Sequence, residues 1–179
     1  MDLVPENKKQ SVYEKRQKEI SDRVKNFPLK CFATSIWEFS LYKAWTDIVS
    51  SLVIDMDLLK NSLNKFAEAC NADEVILFEK STFLLTCHYS DKIISDDQRF
   101  EKISHIIKKF KLSCINSKLQ FQAMTIKTKN FTTYLNEFTK STYIMMIFDK
   151  SNADIEELVK INIDLAKHAF ESVINQITN

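Results

Sequence analysis

The 179-residue chain holds 45% hydrophobic residues, enough for a packed core and too many for a disordered polypeptide. Its 25 basic and 24 acidic residues leave a formal charge of +1, so bulk charge gives no support for nucleic-acid binding, and none is expected. It contains no glycine, which excludes the Gly-rich phosphate motifs GxxxxGK(S/T) and GxGxxG and hands left-handed turn positions to Asn, Asp, Ser and Lys.

In chain order, residues 7–26 read as a charged helix with a thin apolar stripe from Val12, Tyr13, Ile20 and Val24, stopped by Pro28. Residues 29–34 read as a strand. A tight polar turn follows at Thr34-Ser35. Residues 39–53 then read as a helix with Leu41, Trp45, Ile48, Val49 and Leu52 on one face. This helix–strand–helix is a piece of an α/β layer, because a single strand cannot bury itself.

From residue 57 the pattern changes. Leu59, Leu63, Phe66 and Cys70 recur at helical spacing. Residues 73–79 and 82–88 are two apolar runs with only Lys80-Ser81 between them, which predicts a tight hairpin. Ser95, with Gln98 three residues on, predicts a capping box. The helix after it carries Phe100, Ile103, Ile106, Ile107, Phe110 and Cys114 on one stripe. Three more strands are expected at 118–127, 131–139 and 141–149. Asp154 and Glu157 open a last helix over 154–177. Short links between strands make the sheet mostly antiparallel. The run Tyr143 to Phe148 is apolar on both faces and reads as a central strand covered from both sides. The chain therefore divides near Ile54-Asp55, into an incomplete α/β piece over 1–54 and a complete α+β domain over 55–179.

Sites of chemistry are sparse. Cys31, Cys70, Cys87 and Cys114 form no CxxC pair and read as free thiols, and the three histidines are scattered, so no metal site is expected. Asp96-Asp97 and Glu156-Glu157 sit where helices start, where carboxylates suit the helix dipole, so no catalytic group is expected either. The six residues from Tyr143 to Phe148 fall far short of the ~20 that a membrane helix needs, which predicts no direct membrane insertion. Lys108, Lys109 and Lys111 around Phe110 could form a basic aromatic patch; the expected reading is a solvated lysine face with Phe110 turned inward.

Two stretches carry a family resemblance. Phe100 to Cys114, FEKISHIIKKFKLSC, together with Ala72 to Tyr89, closely resembles the C-terminal half of Rag-type small GTPases of the RagA/RagB branch. Thr34 to Trp45, TSIWEFSLYKAW, is similar to the end of the GTPase domain in the same proteins. The resemblance implies a roadblock-like fold for 55–179, a five-stranded antiparallel sheet with three helices, preceded by a remnant of a Ras-like GTPase domain.

It further implies that Asp2, Ser35 and Ile36 contribute guanine contacts in the intact protein. Bound GTP or GDP with magnesium would rely on groups this sequence lacks, so no cofactor is expected for this chain alone. It also implies a RagC/RagD-like GTPase partner and a roadblock-containing scaffold that holds the pair on the lysosomal or vacuolar surface from the cytoplasmic side. Amino-acid status would be relayed there to the TOR kinase complex. The expected dimer interface is the helix over 98–114 with the strand over 119–126, through Phe100, Ile103, Ile107, Phe110, Gln120, Gln122 and Met124. An alternative is a stand-alone roadblock adaptor without a nucleotide site.

Overall fold

A computed structural model describes residues 3–25, 27–35, 40–52, 56–92, 96, 98–149 and 155–176, the side chains of 52 and 173–176 excepted. The contacts divide the chain into two compact units, Met1–Trp45 and Thr46–Asn179. The sequence-based division near Ile54-Asp55 lies outside the described residues.

The first unit holds helix α1 (Glu6–Arg23) and the start of α2 (Ser40–Leu52). α1 buries none of its residues, as its thin apolar stripe dictates. Tyr13 Oη donates a hydrogen bond to the Cys31 carbonyl at 2.8 Å. Residues 29–34, expected as a strand, form none. A strand needs a neighbour to take its backbone hydrogen bonds, and the described part of this unit offers none.

The second unit contains α3 (Met56–Cys70), β1 (Glu74–Glu79), β2 (Leu85–Ser90), α4 (Arg99–Asn116), β3 (Ala123–Lys127), β4 (Phe131–Glu137), β5 (Thr142–Asp149) and α5 (Glu156–Gln176). The strands form one sheet in the order β2-β1-β5-β4-β3, antiparallel throughout. This is the expected α+β architecture, with α3 and α5 on one face and α4 on the other.

β5 explains the layering. Its register against β1 and β4 makes it the middle strand, and its period-2 pattern feeds two cores. Ile144, Met146 and Phe148 pack with Leu59, Leu63 and Phe66 of α3 and Val159, Ile163 and Phe170 of α5. Tyr143 and Met145 pack with Ile76, Phe78, Phe83 and Leu135 beneath Ile107 of α4.

The absence of glycine is met in two ways. Asn71 (φ 51°) and Lys118 (φ 57°) take the left-handed position that ends α3 and α4. In each case the next N–H reaches back over the turn, Ala72 to the Ala67 carbonyl and Leu119 to the Cys114 carbonyl. That is the usual glycine-centred helix stop, made with Asn and Lys. The third site is Phe83 (φ 52°), a costly choice for a bulky residue. Its ring is fully buried, 5.0 Å from the Tyr143 ring, with the Lys111 ammonium over its face.

This residue corrects the expected tight hairpin. The link between β1 and β2 spans Lys80 to Leu84, and β2 begins at Leu85 rather than Thr82. Glu79 organises the loop: its carboxylate accepts hydrogen bonds from the Ser81 and Thr82 N–H groups, and its carbonyl accepts one from the Phe83 N–H. Burial pushes the Glu79 carboxyl up, but the Thr82 hydroxyl and the two N–H groups outweigh it and hold the acid below its ordinary range. The expected Ser95 cap and the Asp154 start lie outside the described residues. At the head of α4 the Asp96 carboxylate accepts the Gln98 N–H, at 3.0 Å.

Candidate functional site

β3 is the last strand of the sheet, and among the described residues nothing pairs with its far side. The Glu137 N–H donates to the Gln122 carbonyl, which sets the ladder so that 122, 124 and 126 bond toward β4. The backbone groups of Ala123 and Thr125 therefore face the open side.

α4 lies over the sheet beside this edge. Ile107 is 1% exposed and packs downward, with Phe100 and Ile103 half-buried on the same apolar cluster. The role expected for Ile107 in a partner interface is thus taken by the sheet itself. Phe110 is 47% exposed and meets Phe121 edge-on at 5.8 Å, which marks its flank of α4 as the one facing β3. Ile106, one turn before Phe110, is 58% exposed on the same flank. Sequence reasoning placed Ile106 on the helix stripe but not at the interface; its i, i+4 relation to Phe110, offset from Phe100, Ile103 and Ile107, was the available signal.

Met124 is half-buried against the α4-side cluster. Gln120 and Gln122 are exposed but precede the strand, which begins at Ala123 and is shorter than the expected 118–127. Two features shorten it. Lys118 is spent on the helix stop, and Phe121 turns inward among Phe83, Phe110 and Tyr143, with the Tyr143 hydroxyl donating to its carbonyl at 3.2 Å.

The start of α4 is fixed electrostatically. Arg99 grips Glu74 of β1 through two parallel N–H···O bonds, and the Glu74 side chain is only 4% exposed. The His88 ring of β2 lies tilted at 52° against the Phe100 ring, with centroids 4.8 Å apart, and partial desolvation lowers its pKa. The buried hydroxyls Ser104 Oγ of α4 and Thr133 Oγ1 of β4 have no hydrogen-bond partner among the described residues.

Asp2 and Ile36 lie outside the described residues. Ser35 is buried, and its N–H already donates to Ser40 Oγ at 2.9 Å. The described residues hold no group of His, Cys, Asp and Glu side chains able to bind a metal ion, and no helix long and apolar enough to cross a membrane.

The sheet order, the helix placement and the open edge together define a roadblock-like α+β domain. Solved structures agree on the fold: Myxococcus xanthus MglB superposes with a TM-score of 0.55 at 14% identity, over 68% of this chain and 93% of its own. The first 107 residues match the family description "Gtr1/RagA G protein conserved region". Ras-related GTP-binding protein A of Dictyostelium discoideum is 47% identical over 100% of this chain and 59% of its own length. Ras-related GTP-binding protein B of Rattus norvegicus is 40% identical over 97% of this chain and 46% of its own. GTP-binding protein gtr1 of Schizosaccharomyces pombe is 39% identical over 96% of this chain and 56% of its own. The chain belongs to the Gtr1/RagA family of GTP-binding proteins. It spans about half the length of these relatives and corresponds to their C-terminal part.

Proposed function

We propose that this chain is the gripping part of a Rag-type signalling GTPase. It pairs with a RagC/RagD-like subunit, and the pair sits on a roadblock-containing scaffold at the lysosomal or vacuolar surface. From there it passes amino-acid status to the TOR kinase complex. In the intact protein the phosphates of GTP or GDP and the magnesium rely on groups this sequence lacks, while Asp2, Ser35 and Ile36 contribute contacts to the guanine base.

The observation that carries the reading is the open β3 edge flanked by Ile106 and Phe110. Two domains of the same build can join β3 to β3 and α4 to α4 around a two-fold axis, completing both ladders and covering both apolar flanks. A partner of the RagC kind suits that geometry: Ras-related GTP-binding protein C of Mus musculus is itself similar to this chain, 25% identical over 83% of it and 39% of its own length. Relatedness with divergence is what a heterodimer of like folds requires.

Hydrogen exchange on the chain co-purified with a RagC/RagD-like subunit tests this. The expected result is slowed exchange of the Ala123 and Thr125 amides in the complex relative to the chain alone. Unchanged exchange along β3 would defeat the edge-pairing reading.

A further inference from the structure

Lys111 stands in a run of lysines that reads as a solvated face, yet its ammonium turns inward. It donates to the Lys80 carbonyl at 3.3 Å and lies 5.1 Å from the centre of the Phe83 ring and 5.8 Å from that of Tyr143. No carboxylate among the described residues pairs with it. One carbonyl oxygen and two ring faces hold the charge, and an uncharged side chain of the same length cannot use them in that way.

The loop that Lys111 meets is itself tied down. The Lys80 N–H donates to the Ser141 carbonyl at 2.8 Å, and the Lys80 ammonium pairs with the Glu137 carboxylate at the end of β4. Phe83, in the same loop, keeps its left-handed backbone only while its surroundings hold it. From this loop the contacts run to the open edge. Tyr143, with its ring 5.0 Å from that of Phe83, donates its hydroxyl to the Phe121 carbonyl at 3.2 Å. The Phe121 ring lies 5.7 Å from Tyr143 and 5.8 Å from Phe110. Gln122, next in sequence, accepts the Glu137 N–H at 3.1 Å where the β3–β4 ladder opens. Phe110 and Lys111 are adjacent and so roughly 100° apart around α4. Held at both points, the helix has a fixed roll over the sheet, and the roll decides where Ile106 points.

We propose that Lys111 is the positioning residue of the docking edge. By tying α4 to the loop over 80–84 it fixes the roll of the helix and, through Tyr143 and Phe121, the point where β3 begins. The geometry stands by itself; its consequence for a partner rests on the edge-pairing reading.

The test uses the full 179-residue chain as wild type, Lys111→Met, Lys111→Arg and, as a control in the opposite core, Val159→Ala. In the chain alone, hydrogen exchange of the Met124 and Ile126 amides, which bond toward β4, should rise at least ~10-fold more than that of the β1 amides in Lys111→Met. Lys111→Arg should stay near wild type, and Val159→Ala should raise both strands alike. Affinity for a RagC/RagD-like subunit should fall at least ~10-fold in Lys111→Met and stay within about 2-fold in Lys111→Arg and Val159→Ala. A wild-type chain that does not pair would remove the edge-pairing reading, and the exchange of β3 against β1 would then decide the role of Lys111. Equal change on β1 and β3 in Lys111→Met, no rescue by arginine, or full-strength pairing by Lys111→Met beside a pairing wild type would each overturn the proposal.

Discussion

Arg99→Met isolates the contact that sets where α4 begins. Glu74 projects from β1 under the helix with its side chain 4% exposed, and Arg99, 23% exposed, is its ion-pair partner. Removing the guanidinium leaves a carboxylate that has lost its water and gained nothing. Loss of one partner from a buried pair costs ~3–5 kcal/mol, and the partial exposure of Arg99 places this case near the lower figure, about 3 kcal/mol. A domain of this size has a total stability of roughly 5–15 kcal/mol, so the loss shows clearly as a lowered urea midpoint. The second variant separates charge from packing. Glu74→Met/Arg99→Met removes both charges and fills the space with apolar atoms, and it should recover most of the deficit. A loss under ~1 kcal/mol for Arg99→Met, or a double variant no better than the single one, would refute the reasoning.

Three further outcomes are expected. Burial lowers the His88 pKa and outweighs the attraction of Glu74, so the unfolded chain takes up the proton more readily than the folded one. His88 therefore contributes stability above its ordinary pKa of ~6.5 that is lost as pH falls below it; urea midpoints across that range should flatten in His88→Gln, and an unchanged slope would contradict this. Ser104→Ala and Thr133→Val delete buried hydroxyls without partners among the described residues, and should be neutral or stabilising by up to ~1–2 kcal/mol in thermal unfolding; a clear loss would reveal a partner. In a nucleotide titration the isolated chain should bind GTP negligibly, since no glycine-built phosphate loop exists in it, and micromolar or tighter affinity would contradict that expectation.

The layered domain was legible because its signals are local and agree with one another. The doubly apolar run of β5 announced a middle strand, and the stripes of α3 and α4 announced opposing helices. Long-range packing hid the rest. Phe83 accepts a left-handed backbone because Tyr143, Phe78 and Lys111 hold its ring, and no turn rule assigns that position to phenylalanine. Phe121 shortens β3 for a similar reason, by folding into the aromatic cluster before the ladder starts. Residues 29–34 have a strand's composition but find no neighbouring strand among the described residues. On α4, one apolar stripe concealed two environments, with Ile107 facing the sheet and Ile106 facing outward, and only the direction of the helix axis over the strands separates them.

The most direct measurement is the mass in solution of this chain co-expressed with a RagC/RagD-like subunit, for the wild type and for Ile106→Asp. Covering the remaining exposure of Ile106 supplies part of the ~1.5–3 kcal/mol of a fully buried isoleucine, and an unpaired carboxylate there adds a further penalty. The expected result is a one-to-one complex for the wild type and a folded, unpaired chain for Ile106→Asp. A wild-type chain that stays alone, or a variant that pairs as tightly as the wild type, would contradict the claim that β3 and the Ile106–Phe110 flank form the grip.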